Sequence, residues 1–536
     1  MKKIITTFIF IPVLALILSS CVKDLNVEPI DPSKLTPNVA FKDSTGYIEA
    51  LAKIYASYAI SGQTGAGGGD PDIAGIDENF GNYLRQLWGL QELPTDEAIM
   101  AWDDATIKNF HWQTWAPNDV FIAALYSRIF YSVAIANEFI RQANAASDPT
   151  GSIARMKAEA RFLRAFSYFH AIDMFGNVPF VTEDDKPGKF LPKQINRADL
   201  FDYIESELIA IEPDLGPPNW EYGRADQAAD WMLLAELYLN AEVYTGTPRY
   251  GDAIAQTEKV FNAGYSLDPV YQNVFRADNN NSPEMIFPIC FDGQNTQQYG
   301  GMTFVIHASI GGNMPLNGID GGWGGIRTIK DFVTGLFGVQ QSDFSTSDPQ
   351  FTAIADKRGM FFFDPDTWEW DISNVGTFTQ GIGVTKFKNI SSDGGPAPDV
   401  HPAFVSTDFP VFRLGEAYLI YAESVLRGGG GDRATALGYI NDLRERAYGD
   451  ASGDISDANL TLDFILAERG RELYWECKRR TDLIRFDKLT GNSYLWEWKG
   501  NVQAGTATDS YRKLYPIPNN DLTANPNLIQ NDGYPN

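Results

Sequence analysis

The chain is poor in cysteine, histidine and positive charge, and each shortage removes a class of function. Three cysteines stand in 536 residues, at Cys21, Cys290 and Cys477. Cys21 ends an N-terminal apolar run, so at most one disulfide joins the other two and no disulfide framework holds the fold. Two buried free thiols are the expectation. The four histidines, His111, His170, His307 and His401, are nowhere at metal-site spacing from one another, which argues against a zinc centre. Lysine and arginine total 43 against 69 Asp and Glu, a net charge of −26. A surface of that sign neither draws nucleic acid nor adheres directly to anionic lipid. Beyond the N-terminal run, no apolar stretch approaches the ~20 residues needed to cross a ~30 Å hydrocarbon core.

Several chemical signatures are missing as well. The glycine-rich GQTGAGGGD and GGWGG are not followed by Gly-Lys-Ser/Thr and no βα unit frames them, so they read as flexible loops rather than phosphate cradles. No Gly-x-Ser-x-Gly elbow is present. DPDTWEWD and DASGDISD lack the glycine and the terminal glutamate of an EF-hand. ADNNNSPE offers Asp278 and Glu284 as weak candidate oxygen ligands for calcium. No cofactor is expected.

What is present begins at the N-terminus. Lys2 and Lys3 precede an uncharged run from Ile4 to Leu18, which is short for a span and ordered like an export signal. The run ends in Leu18-Ser19-Ser20-Cys21, which resembles the lipobox of bacterial lipoproteins. That resemblance implies that Cys21 takes a lipid on its thiol and becomes the mature N-terminus. The expected division is a signal peptide over 1–20, a Pro/Asp/Asn-rich tether over 21–45 and one domain over 46–536.

Within that domain, helical period dominates. RMKAEARFLRAFSYFHAIDMFG places Ala158, Phe162, Ala165, Phe166, Phe169 and Ile172 on one stripe, with Gly176 and Pro179 ending the helix. DVFIAALYSRIFYSVAIANEFIRQA reads as one long helix. DQAADWMLLAELYLNAEVY with YGDAIAQTEKVFNAGYSL, and FRLGEAYLIYAESVLR with RATALGYINDLRERAYG, read as helix pairs. Small residues and aromatics at the contact points suggest tetratricopeptide-like units. The fold class is therefore mostly α, a scaffold of helix pairs over about 46–264 and 411–490. A loop-rich, partly β insertion over about 265–410 is where binding is expected.

Four separated segments, in order, resemble the SusD/RagB family: AEARFLRAFSYFHAIDMFGNVPFVTE, FRLGEAYLIYAES, ILAERGRELYWECKRRTDLIRFDKL and LYPIPNNDLTANPNLIQNDGY. LQELPTDEAI resembles a segment near its first loops. The resemblance implies an outer-membrane, lipid-anchored, non-catalytic lid on a TonB-dependent transporter of the SusC type, capturing glycan for import. Starch-binding members use an arc of aromatics that follows the curve of an α-glucan. By motif spacing that arc corresponds here to Trp102, Tyr299 and Trp323, with Asp77, Arg85 and Asp104 as polar helpers. The family pattern has an Asn near Asp104, where this sequence reads AWDDATIKN.

The residues themselves suit that role. Aromatics are 13% of the chain, and flat rings can lie against the apolar faces of sugars while charged groups bind vicinal hydroxyls. Trp323 and Tyr299 stand beside glycine pairs, which is read as leaving them free to project. Trp88, Trp112, Trp115, Trp496 and Trp498 are expected in the core, and Trp368 and Trp370 are candidates for exposure. The expected ligand is an α-glucan oligosaccharide, with a β-glucan or another polysaccharide as the alternative. Two other classes compete: a helical glycoside hydrolase and a protein-binding scaffold. With 69 acidic residues, some carboxylate pair always falls at a hydrolase spacing, so abundance is no evidence for one. A pure scaffold has no use for aromatics on glycine loops.

Overall fold

The computed structural model describes residues 40–535 except 68, 149, 186, 187 and 189. The proposed leader, Cys21 and most of the tether lie outside them. The first helix, α1 (Ser44–Ala59), is followed by α2 (Tyr83–Glu92), α3 (Val120–Ala145) and α4 (Ser152–Phe175). Asp119 starts α3 by accepting the Phe121 and Ile122 N–H groups at 2.9 and 3.1 Å. Gly176 ends α4 at φ +70°, a conformation that costs glycine little.

All six stripe residues of α4 are buried, but so is nearly everything else from Ala158 to Phe175. The helix is enclosed by α1, α3, α5 (Arg197–Ile211) and α6 (Gln227–Leu239). Its polar side chains are therefore paired. Glu159 holds Arg224, Arg164 reaches Glu207 at 2.6 Å, and Asp173 meets Arg480 at 3.0 Å. Helix α3 is apolar and long enough to cross a membrane by composition, a length the sequence reading overlooked. Here it packs along α4 with most of its surface covered.

The scaffold continues with α7 (Tyr250–Phe261) against α6. After the insertion, α10 (Leu414–Leu426) packs on α7, α11 (Arg433–Tyr448) and α12 (Leu462–Leu473), with α13 (Arg479–Arg485) next. Between them lie α8 (Gly301–Ser309), α9 (Lys330–Phe337) and short strands. Two antiparallel ribbons matter for function. Strands β2 (Met285–Ile289) and β4 (Phe409–Arg413) pair Met285 with Arg413 and Ile289 with Phe409, closing the insertion at its base. Strands β1 (Ile99–Met100) and β3 (Ile326–Arg327) pair Ile99 with Arg327 and Met100 with Ile326. Their register places the loop after residue 100 beside the loop before residue 326.

A fully buried charged cluster sits behind the base ribbon. Arg413 contacts Glu284, Glu472 and Glu476, and Arg446 contacts Glu284 and Glu472. Arg358 contacts Asp356, Glu468 and Glu472. The two weak calcium candidates are engaged elsewhere: Glu284 spends its carboxylate on two arginines, while Asp278 accepts from Ser392 N and Oγ at 2.7 Å. The thiol expectation is corrected. Cys290 and Cys477 are free, but Cys290 is exposed just past the end of β2 and Cys477 is half-buried.

Candidate functional site

The β1–β3 ribbon builds the site. One residue past it, the Ala101 N–H donates to the Gly325 carbonyl at 2.7 Å. Trp102 then lies against Trp323, and its indole N–H donates to the Trp323 carbonyl at 3.1 Å. The two ring centroids are 6.3 Å apart with planes 38° from parallel. Tyr299 continues the row, 6.2 Å from Trp323 and turned by 54°. Tyr299 is 38% exposed, and both tryptophans are half-buried. The three rings form one contiguous arc.

Trp323 is held from behind. The N–H groups of Trp323, Gly324 and Gly325 donate at 2.8 Å to the carbonyls of His307, Ile310 and Ala308. The loop thereby satisfies carbonyls that the end of α8 leaves open. This revises the reading of the glycines. A Cβ at Gly325 would come within 2.6 Å of Trp102 Cε2, and one at Gly322 within 2.2 Å of the Ile310 oxygen. These glycines permit close approach rather than leaving Trp323 free. Gly300 behaves alike, since its Cβ would lie 2.3 Å from that of Asn82.

The polar flank comes from α2. Asn82 caps the helix by accepting the Arg85 N–H at 3.0 Å, which fixes Arg85 in the first turn. The Arg85 guanidinium lies over Phe304 at 4.4 Å and Trp102 at 6.0 Å, and Nη1 donates to the Asn79 carbonyl at 2.7 Å. Burial lowers its pKa to about 10, opposed by the charges of Asp104 and Asp77. It is still cationic at neutral pH. Asp77 and Asp104 are exposed, and among the described residues neither forms a direct ion pair with Arg85. The structure thus brings all six candidates together: a cation flanked by two open carboxylates beside three rings.

Known proteins match both the sequence and the fold. A family model described as "SusD family" matches residues 283–534, and one described as "Starch-binding associating with outer membrane" matches residues 83–244. The Starch-binding protein SusD of Bacteroides thetaiotaomicron is 34% identical, with 98% of this chain and 97% of that protein covered. The chain belongs to the SusD family. Solved members share the fold at lower identity. A SusD superfamily protein from Parabacteroides distasonis gives a TM-score of 0.69 at 18% identity, covering 94% of this chain and all of that one. The surface glycan-binding protein A from Bacteroides thetaiotaomicron, solved with laminarihexaose, gives 0.66 at 20%, covering 91% and 99%.

Within the SusD frame the other tryptophans weighed in the sequence are mostly enclosed. Trp88, Trp115 and Trp496 are buried, while Trp112 and Trp498 are half-buried. The exposure expected for DTWEWD is corrected. Trp368 is buried against Phe378 at 5.3 Å, and Trp370 packs on Phe363 at 5.2 Å. Two contributors escaped the sequence reading. Phe304 supports both Arg85 and Trp102, and His307 stacks on Trp323. Their positions on α8, directly after Tyr299-Gly300, were the available signal.

Proposed function

We propose that this chain is a non-catalytic, cell-surface glycan-binding lipoprotein that captures α-glucan and hands it to a TonB-dependent outer-membrane transporter of the SusC type. A signal over 1–20 and a lipid on Cys21, followed by a tether over 21–45, would hold it at the outer membrane. A leash of this kind raises the local concentration of the lid at its pore without adding an interface.

The observation that carries the reading is the arc Trp102–Trp323–Tyr299, with successive turns of 38° and 54°. Rings tilted in this way from one to the next suit a chain that bends, as an α-1,4-glucan does. Arg85, Asp77 and Asp104 supply charge-assisted hydrogen bonds for vicinal hydroxyls. The starch binding named for the 34% identical relative supports the same ligand class.

Calorimetry with maltoheptaose and with laminarin oligosaccharides tests the proposal. Heat with maltoheptaose and none with laminarin is the expected result. The reverse would overturn the α-glucan assignment in favour of a β-glucan, and silence from both would remove the glycan role. Maltoheptaose left with the protein should keep its chain length; shortening would make the protein a hydrolase.

A further inference from the structure

His307 has no part in the binding chemistry above, yet it touches Trp323 and the two loops beside it. It lies in the last turn of α8 and is 1% exposed. Its ring stacks on the Trp323 indole, with centroids 4.6 Å apart and planes 28° from parallel. Nδ1 is 2.7 Å from the carbonyl oxygen of Gly321, and Nε2 is 2.7 Å from that of Ala403. Both partners can only accept. A neutral imidazole offers one N–H and one lone pair, so one of these contacts would set lone pair against lone pair. Only the imidazolium donates to both.

The surroundings suit a cation. The C-terminal end of a helix carries partial negative charge, and the face of an indole attracts a cation. Asp320 Oδ1 lies 4.0 Å from Nδ1. The other titratable neighbours come from two further elements. His401, on the loop that carries Ala403, accepts the Ala403 and Phe404 N–H groups on its Nδ1 at 3.1 and 3.2 Å, and so keeps a lone pair there. Arg85, on α2, stacks on Phe304 and Trp102 in the adjoining wall.

We infer that His307, as an imidazolium, is the positioning residue of the aromatic platform, clamping the 321–325 loop to the 401–404 loop and fixing the plane of Trp323. The inference rests on the glycan-binding reading for its effect on affinity, but not for its structural content. Loss of the proton removes one of the two donors, frees one loop from the clamp and lets Trp323 leave the arc. Glycan affinity should therefore fall when the clamp is removed.

Three readouts test this, two of them without ligand. With four histidines in the chain, long-range proton–nitrogen spectra of nitrogen-15-labelled histidine should show the His307 ring donating from both nitrogens. That signal should be missing in His307→Gln. A single neutral tautomer for His307 would overturn the inference. Amide exchange at Trp323, Gly324 and Gly325 should be faster in His307→Gln and in His307→Phe, which keeps a stacking ring but no donor. Unchanged exchange in both would also overturn it. In calorimetry each variant should bind maltoheptaose about tenfold more weakly. Wild-type affinity in both variants would contradict the positioning role. A wild type that takes up no glycan would sink the binding reading, while the spectra and exchange would still decide the clamp.

Discussion

Trp102 is the residue on which the arc turns. One edge of its indole is tied to the Trp323 carbonyl, one face rests on Gly325, and Phe304 meets it at 5.9 Å. Gly325→Ala would drive a methyl into the indole, and overpacking of that kind costs about 1–3 kcal/mol. The expected outcome is loss of at least about tenfold in maltoheptaose affinity with Tm lowered by only a few degrees. Trp323→Ala should cost more affinity, again with a small change in Tm, because the side chain is half-buried. Calorimetry paired with thermal melts checks both, and a large fall in Tm without loss of affinity would make these residues packing elements. The aromatics themselves were legible as candidates through the family resemblance, with Trp323 and Tyr299 also standing beside glycine pairs. The function of the glycines was not legible. Space for a ring and space for a close backbone look alike in sequence, and only the contacts to the end of α8 separate them.

At the scale of elements, the base of the insertion is a β-ribbon backed by buried charge. Burying an ion costs several kcal/mol, which is recovered only when every partner is in place. Glu472 joins Arg358, Arg413 and Arg446, so Glu472→Ala should destabilise the chain by about 3–5 kcal/mol, measured by denaturant unfolding. A change near zero would mean the cluster is not enclosed as described. The cluster also fixes an acid limit. Burial alone would raise the carboxyl of Glu468, but Arg358, Arg471 and Arg444 outweigh it and bring it from 4.5 down to about 2. A folded-state value below the unfolded one stabilises above pH 4.5 and is lost as pH falls towards about 2. Circular dichroism against pH should show unfolding in that window, and Glu468→Gln should make the profile shallower. The helices here were readable from period and terminators, as at Gly176. The ribbons were not, because strands of two to five residues carry too little alternation to show. The burial of Glu468, Arg469, Glu472 and Glu476 in ERGRELYWECKRR was not legible either, because a run of charges looks the same whether it is paired in the interior or solvated.

For the whole molecule, helix pairs form a frame that keeps the arc rigid, and the insertion is closed at its root so that its loops do not drift. The proposed lipid anchor, Cys21, is none of the residues that build the arc, so the two functions should separate. Cys21→Ser should move the protein out of the membrane fraction, checked by fractionation and acyl labelling, while leaving maltoheptaose affinity of the purified chain unchanged. A variant that stays with the membrane would contradict the anchor. The family was legible because its motifs run in order across nearly the whole chain. Helix α3 shows the reverse difficulty, since an apolar helix of membrane length and a core helix are the same sequence until the packing is seen.

The central claim is that Trp102, Trp323 and Tyr299 together receive a curved glucan. A crystal structure of the chain soaked with saturating maltoheptaose tests it most directly. The expected result is glucose rings lying across those three aromatics with hydroxyls on Arg85 and its neighbouring carboxylates; sugar bound at another face, or an arc that stays empty, would contradict it.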